Sequence, residues 1–120
     1  MTGHDITQTP AWAHLLTHYQ EVCHAHMRDW FEQDSGRFAK MHEHLDGMLV
    51  DYSKNRITEE SLQLLTELAD AADLAQWRER MFTGDKINFS EHRAVLHTAL
   101  RQPRDVVIVV DGVNVVAEAY

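Results

Sequence analysis

The feature that most constrains this fold is a run of five apolar residues at positions 106–110 (VVIVV), followed directly by Asp111-Gly112. An Asp-Gly pair between two β-branched runs is a strong signal for a β-hairpin, because both residues tolerate the positive φ angles of a two-residue turn. The five apolar residues do not alternate with polar ones, which is typical of a strand covered on both faces. The sequence therefore predicts a C-terminal hairpin that needs packing partners.

Few other segments are patterned as strands that could extend this hairpin. Residues 49–53 (LVDYS) also indicate an extended segment, but a lone hairpin has marginal stability in water. Either the helices of this chain cover both faces of the hairpin, or the missing cover lies outside these 120 residues.

The remainder of the chain is patterned mainly for helices. Thr9 is a good N-cap and Pro10 suits the first helical position, so the first helix is expected to begin there. Its apolar residues recur at helical spacing and form one stripe. The residues of this stripe are Trp12, Leu15, Leu16, Tyr19, Val22 and Cys23.

Three further helices are predicted along the chain. Residues 27–34 (MRDWFEQD) form one segment, and Thr58 is expected to cap the next, with acidic residues in its first turn. Asp73 and Gln76 resemble a capping box that opens a helix through residues 77–81. The fold class expected from these patterns is α+β, a predominantly helical segment with a C-terminal β-hairpin.

Residues 82–101 (FTGDKINFSEHRAVLHTALR) are predicted to end one helix and to begin another. Gly84 suits the left-handed conformation of a helix C-cap. Ser90 suits an N-cap, and Arg101 lies where a cation complements the C-terminal end of the helix dipole. We expect the buried side of this last helix to consist of Val95, Leu96 and Leu100.

The charge balance excludes some classes of partner. The formal net charge is −8, and the Lys and Arg residues are scattered. Binding to a phosphate backbone requires grouped cations, so neither nucleic acid nor an anionic membrane surface is an expected partner. No apolar run approaches the roughly 20 residues of a membrane helix, and no secretory signal is visible. A single cysteine, Cys23, fits a reducing cytoplasm.

The chain has nine histidines, of which three pairs could in principle chelate a metal. His14 and His18 are four residues apart on one helix. They fall on its polar side with no acidic or Cys ligand fixed nearby in sequence, so we interpret both as solvated. The other two pairs are spaced i,i+2 and could chelate only in an extended conformation. These are His24 with His26 and His42 with His44.

A nucleophilic site is not predicted at Ser90, His92 and His97. The two histidines are five residues apart, which turns them away from a common helix face, and Ser90 is better used as a cap. A catalytic Ser–His pair also needs an orienting third group and an oxyanion cradle.

The remaining candidate groups have ordinary structural roles. No two of the five glycines are close neighbours, so no phosphate-binding loop or dinucleotide fingerprint is present. Cys23 is interpreted as a packed, inert thiol. Four carboxylates are interpreted as solvated or capping groups: Asp51, Glu59, Glu60 and Asp70. No catalytic, cofactor-binding or metal-binding residue is therefore predicted.

Two stretches and a tripeptide resemble the amino-terminal region of the phosphoglucose isomerase (glucose-6-phosphate isomerase) family. They are residues 49–58 (LVDYSKNRIT), residues 82–101 and the VDG at 110–112. Their order, spacing and amino-acid identities match those of the family, and the similarity covers nearly the whole chain. Ser90 stands where the family often has Thr, and Gln102-Pro103 replaces a commoner Asn-containing turn.

The resemblance implies that residues 1–120 are the N-terminal region of a larger α/β sugar isomerase, without its catalytic subdomains. It implies a cytoplasmic homodimer that interconverts glucose 6-phosphate and fructose 6-phosphate in glycolysis and gluconeogenesis, without a cofactor. The family's Glu base and phosphate-binding segments lie downstream, so we expect this chain to pack against the remainder of the isomerase and to be inactive alone. The alternatives are an autonomous, non-catalytic helical interaction domain derived from the family, and a histidine-rich metal-binding module.

Overall fold

The computed structural model describes residues 5–120. Residues 1–4, which include Gly3, His4 and the start of the segment considered for a secretory signal, lie outside the described range. The chain divides into two compact units, the first ending at Ala72 and the second comprising Asp73–Tyr120. Each unit is described by itself.

The first unit contains four helices and one hairpin within the described residues. A 3-10 turn at Ile6–Gln8 precedes the first helix. The elements are α1 (Pro10–Val22), α2 (Met27–Gln33), α3 (Arg37–Lys40), β1 (His42–Leu45), β2 (Met48–Asp51) and α4 (Glu59–Ala71). Helices α1 and α4 pack against each other.

The second unit contains one helix of 10 residues, a short hairpin and a final helical turn. Its elements are α5 (Leu74–Thr83), a 3-10 turn at Ala99–Arg101, β3 (Val109–Val110), β4 (Val113–Asn114) and α6 (Val115–Glu118). The predicted α+β class, mainly helical with a C-terminal hairpin, is confirmed for the described residues. No helix among residues 5–120 is long and apolar enough to cross a membrane.

The predicted caps of α1 and α4 are confirmed. The Thr9 hydroxyl accepts a hydrogen bond from the backbone N–H of Trp12, with Pro10 in the first position of α1. The Thr58 hydroxyl accepts from the backbone N–H of Ser61 at 3.2 Å, and the Ser61 hydroxyl accepts from the backbone N–H of Thr58 at 2.9 Å. This reciprocal capping box fixes the first turn of α4.

The hairpin of β1 and β2 was only half predicted. Residues 49–51 of the expected extended segment lie in β2, but its partner β1 was missed. The two strands are joined by Asp46 and Gly47, which have φ angles of 46° and 78°. These are the positive angles that a two-residue hairpin turn requires, and an Asp-Gly pair is their usual sequence signal.

Helix α5 is confirmed, although its predicted N-terminal cap is wrong. Asp73 has a left-handed φ of 54° and makes no capping hydrogen bond through its side chain. The chain therefore turns sharply before α5 instead of entering it through a capping box. At the other end, Gly84 has a φ of 85°, which confirms the predicted left-handed C-cap.

The predicted helix from Ser90 to Arg101 is wrong. Asn88 and Arg93 instead form an antiparallel bridge, and the Ser90 hydroxyl donates to Oδ1 of Asn88 at 2.9 Å. The backbone N–H of Glu91 donates to the same oxygen, so the Asn88 side chain competes with helix formation. His92 has a φ of 55°, which also ends any helical path.

The residues expected to form the buried side of that helix are arranged differently. Leu96 and Leu100 are exposed and Val95 is half-buried, whereas Ala99 is buried. The cause is that only the 3-10 turn of Ala99–Arg101 is helical here, and a short turn presents one residue to the core rather than a stripe.

The C-terminal hairpin is confirmed, with Asp111 and Gly112 at φ angles of 51° and 83°. Residues 106–110 are not covered on both faces within the second unit. Ile108 is 8% exposed and lies in the core, whereas Val107 and Val109 are 67% and 58% exposed. The core on the covered face consists of Ala99, Ile108, Val115 and Val116.

Candidate functional site

His18 is buried, so its interpretation as a solvated residue is wrong. Its side chain is only 5% exposed, because it lies on the face of α1 that packs against α4. His14, one turn earlier on the same helix, is exposed as predicted. The two histidines therefore do not act together as a pair.

One ring nitrogen of His18 is held by the capping box of α4. Nε2 lies 2.7 Å from the Ser61 hydroxyl and 3.4 Å from the Thr58 hydroxyl. The capping box fixes both hydroxyls in position, so the orientation of the imidazole ring depends on the start of α4. This link connects residues that are 43 positions apart in the sequence.

The other ring nitrogen of His18 faces two carboxylates. Nδ1 is buried and makes no hydrogen bond. The carboxylate oxygens nearest to it are Oε2 of Glu60 at 3.5 Å and Oε2 of Glu21 at 3.8 Å. We refer to His18, Glu21 and Glu60 as the His18 cluster.

The helices explain how the His18 cluster is assembled. His18 and Glu21 are three residues apart on α1 and therefore share one face. The expectation that no acidic ligand lies near His18 in sequence is therefore wrong. Glu60 is in the first turn of α4, where the helix dipole favours a negative charge. One ligand atom from each residue lies within 4.8 Å of the others. Such a group can hold a proton shared between charged partners or a divalent cation.

An apolar groove adjoins the His18 cluster on the first unit. It has a volume of about 300 Å³. Most of its lining comes from the apolar stripe of α1 and from α4, with Trp12, Leu16, Tyr19 and Leu65 exposed along it. Arg56 also lines it and donates to the backbone carbonyls of Cys23 and Ala25.

Arg37 is a buried cation that the sequence analysis missed. Its side chain is 4% exposed and lies 5.1 Å from the ring centre of Trp30. The guanidinium donates at 2.8–3.0 Å to three backbone carbonyls, those of Ser53, Asn55 and Ile57. These bonds hold the segment before α4 in place. No local sequence signal marks Arg37, because its partners lie 16 to 20 residues away.

The two i,i+2 histidine pairs differ in the structure. His42 and His44 lie on β1, the extended conformation in which such a pair could chelate, with ring centres 5.3 Å apart. However, Nδ1 of His42 donates to the carbonyl of Phe38 at 2.7 Å, and its ring stacks on the Phe38 ring. His26 is the N-cap of α2, and its Nδ1 accepts from the backbone N–H of Arg28. His24 is exposed in the preceding turn.

The serine and histidines of residues 90–97 do not form a nucleophilic pair. Ser90 donates to Asn88, while His92 and His97 are both exposed. Cys23 is half-buried, and its thiol lies 3.5 Å from the carbonyl of Gln20.

The four carboxylates interpreted as solvated or capping are all exposed. Asp51 accepts a hydrogen bond from the backbone N–H of Ser53 at 2.9 Å, and hydrogen bonding to Ser53 lowers the pKa of Asp51 below its usual value. Glu59 lies 3.7 Å from Lys40. Glu60 belongs to the His18 cluster, a role that the sequence analysis missed.

The family model described as Phosphoglucose isomerase matches residues 51–120, which is more than half of the chain. The chain belongs to the phosphoglucose isomerase family. The family resemblance stated from the sequence is thereby confirmed.

Individual members of the phosphoglucose isomerase family match almost all of the chain. It is 51% identical over 115 residues to the glucose-6-phosphate isomerase of Deinococcus radiodurans and 49% identical over 115 residues to that of Roseiflexus sp. (strain RS-1). It is 49% identical over 116 residues to glucose-6-phosphate isomerase 2 of Chromobacterium violaceum. These matches cover 96–97% of this chain but 21% of each relative. The chain therefore spans about a fifth of the length of the relatives it matches.

Proposed function

We propose that this chain is the amino-terminal part of an enzyme that interconverts glucose 6-phosphate and fructose 6-phosphate, and that it has no isomerase activity alone. The observation that carries the proposal is the identity of 49–51% to glucose-6-phosphate isomerases across 96% of this chain. Since those relatives are about five times as long, the chemistry is assigned to polypeptide beyond these residues.

The chemistry of aldose–ketose isomerisation supports this division. The reaction needs a base, an acid for ring opening and a phosphate-binding group, all close together. The groove beside the His18 cluster is lined mainly by apolar side chains, and its Arg56 donates to backbone carbonyls. Such a surface suits contact with protein better than contact with a sugar phosphate.

The exposed apolar surface of each unit supports a structural role. In the first unit, the apolar stripe of α1 is partly exposed to solvent at Leu16 and Tyr19. In the second unit, Val107 and Val109 are exposed to solvent on one face of the hairpin segment. Apolar surface of this kind usually marks an interface. The occupant we propose is the remaining four fifths of the isomerase polypeptide, whose length is that of the relatives beyond the matched region.

The proposal also covers the intact enzyme, whose properties are those that the family resemblance implies. That enzyme is proposed to be a cytoplasmic homodimer, with a Glu base that moves a proton between C1 and C2 of the open-chain sugar. Neither the base nor the phosphate-binding segment is assigned to a residue of this chain. The role of this chain is to support the catalytic part through its apolar faces.

A coupled assay tests the inactivity of the chain. The chain is incubated with fructose 6-phosphate, and formation of glucose 6-phosphate is followed by NADP reduction with a dehydrogenase. The expected rate equals that of the blank without the chain. Turnover at the rate of an intact glucose-6-phosphate isomerase would overturn the proposal of a structural role, while leaving the family unchanged.

A further inference from the structure

We propose that the His18 cluster is a binding site for one divalent transition-metal cation, with Zn²⁺ the best match to its ligands. The inference does not rest on the proposed isomerase function, because the cluster lies entirely within the first unit and uses residues of α1 and α4 alone. It is carried by the buried nitrogen Nδ1 of His18 and by the two carboxylates that face it.

The buried nitrogen is the first reason for a ligand. Nδ1 of His18 has no hydrogen-bond partner, although the side chain is 95% buried. Buried polar atoms are almost always paired in folded proteins, and an unpaired one calls for a specific explanation. A cation coordinated at Nδ1 would satisfy this atom directly.

The hydrogen bonds around Ser61 supply the second reason. Its hydroxyl oxygen accepts from the backbone N–H of Thr58 and lies 3.1 Å from the Thr58 hydroxyl, which can take the Ser61 proton. The Ser61 oxygen can then also accept from Nε2–H of His18 at 2.7 Å. This assignment leaves a lone pair on Nδ1. A histidine that binds metal through one nitrogen commonly donates its other N–H to a protein group in this manner.

The distances suit a small cation with modest movement of the two carboxylates. Ligand atoms at about 2.0–2.1 Å from tetrahedral zinc lie about 3.3 Å from one another. In the His18 cluster, Nδ1 is 3.5 Å from Glu60 and 3.8 Å from Glu21, and all three ligand atoms lie within 4.8 Å of one another. The side chains of Glu21 and Glu60 are about two-thirds exposed and can turn inward, whereas the imidazole is fixed by Ser61.

The ligand types select the class of metal. An imidazole nitrogen favours zinc and neighbouring transition metals over magnesium and calcium, which prefer oxygen ligands alone. Two carboxylates balance the charge of a divalent cation. Three protein ligands leave a fourth tetrahedral position for water.

The other occupant compatible with this geometry is a proton. A protonated His18 would donate from Nδ1 toward Glu60 or Glu21 as an ion pair. Metal binding and protonation make opposite demands on Nδ1, since the metal needs the lone pair that the proton occupies. Uptake of Zn²⁺ that depends on Glu21 and Glu60 therefore identifies the metal as the occupant.

The test measures Zn²⁺ binding to the metal-stripped chain by competition with a chromophoric chelator. Glu60→Gln and Glu21→Gln remove one carboxylate charge each from exposed positions without disturbing the core. His14→Gln, on an exposed histidine of the same helix, and Glu59→Gln, on the neighbouring carboxylate, are the matched controls. We expect one Zn²⁺ per chain, an affinity lower by roughly tenfold or more in each site variant, and a change of less than about twofold in each control. Millimolar Mg²⁺ should not displace the Zn²⁺.

A spectroscopic measurement tests the coordination geometry of the site separately from its affinity. Co²⁺ in place of Zn²⁺ should give the intense visible absorption of a tetrahedral site in the wild-type chain and lose it in Glu60→Gln. Circular dichroism of each variant checks that the helices remain. Zn²⁺ uptake that falls in His14→Gln but not in Glu60→Gln would assign it to surface histidines and overturn the proposal. Absence of binding at micromolar Zn²⁺ would also overturn it.

Discussion

Gly84 lies against Val110 so closely that a Cβ atom added to Gly84 would be 2.8 Å from Cγ2 of Val110. The same added atom would be 2.9 Å from Cγ2 of Ile108. The glycine that ends α5 thus also packs directly against the hairpin segment. Its φ of 85° adds a second reason why a side chain is poorly tolerated there.

Gly84→Ala is therefore expected to destabilise the second unit by roughly 2–4 kcal/mol, from left-handed strain and overpacking together. Gly112→Ala is the matched control, because Gly112 has a φ of 83° with no atom within 4 Å of an added Cβ. The control should lose only about 1–2 kcal/mol. Urea unfolding of both variants measures the difference, and equal losses would show that the contact with Val110 contributes nothing.

Ser61→Ala removes the bond to His18 and half of the capping box. The expected loss of unfolding free energy is roughly 2 kcal/mol, because a helix loses part of its cap and a buried ring nitrogen loses the shorter of its two hydrogen bonds. Ser35→Ala, at an exposed serine of the same unit, should change stability by less than about 0.5 kcal/mol. A loss for Ser61→Ala no larger than this control would contradict the role given to the Ser61–His18 contact.

Arg37→Lys is expected to cost about 3 kcal/mol, although the charge is kept. Lysine cannot present the planar fork that reaches three carbonyls at once, so some of them would lose their donor, and the carbonyl of the buried Ser53 has no ready access to water as a replacement. Arg28→Lys, at an exposed position, is the control and should be neutral within about 0.5 kcal/mol. Thermal unfolding followed by circular dichroism compares the two. Similar midpoints for both variants would show that the carbonyl contacts are unimportant.

The lowered pKa of Asp51 predicts that the stability of the first unit depends on pH. Its pKa is lowered in the folded chain by hydrogen bonds from Ser53, so the ionised form is favoured by folding. The resulting stabilisation is fully present above the ordinary pKa of 3.8 and is lost as the pH falls through the lower folded value. Asp51→Asn should therefore be less stable than wild type at pH 6, with the difference shrinking toward pH 3. A difference that is the same at both pH values would contradict this account.

Local turn and cap chemistry could be predicted from the sequence. The turn at Asp111-Gly112 and the C-cap at Gly84 depend only on the backbone angles of those residues. The N-caps at Thr9 and Thr58 depend only on the three residues that follow each of them. Asp46-Gly47 carries the same signal as Asp111-Gly112 and could have identified the first hairpin. It lies between two short strands that contain charged and histidine residues, which weakened the pattern.

The failures arise where a distant or competing contact decides the outcome. The Ser90 helix has a good cap in sequence, but the Asn88 side chain captures the hydrogen bonds that would start it. The burial of His18 depends on which face of α1 is covered by α4, and no pattern within α1 encodes that choice. Glu60 was missed for the same reason, since Glu60 and His18 come together only through helix packing. Glu21 follows His18 by three residues, so helical spacing alone could have placed it beside His18.

The exposed valines of the hairpin give a prediction about the proposed packing partner. Val107→Lys with Val109→Lys should change the stability of this chain by less than about 1 kcal/mol, because both side chains are already exposed. In an intact isomerase the same pair should lower stability or activity severely, because two charges would be buried at an interface. Equal effects in both settings, measured by thermal unfolding, would show that this face stays open.

The most direct test of the central claim is a chimera with the Deinococcus radiodurans glucose-6-phosphate isomerase, in which this chain replaces the matched fifth of that enzyme. The rate of fructose 6-phosphate isomerisation is measured for the chimera, for the enzyme lacking that fifth and for this chain alone. We predict turnover by the chimera and none by the other two. Turnover by this chain alone, or equal turnover with and without it, would contradict the claim that it supports a catalytic centre built from the rest of the polypeptide.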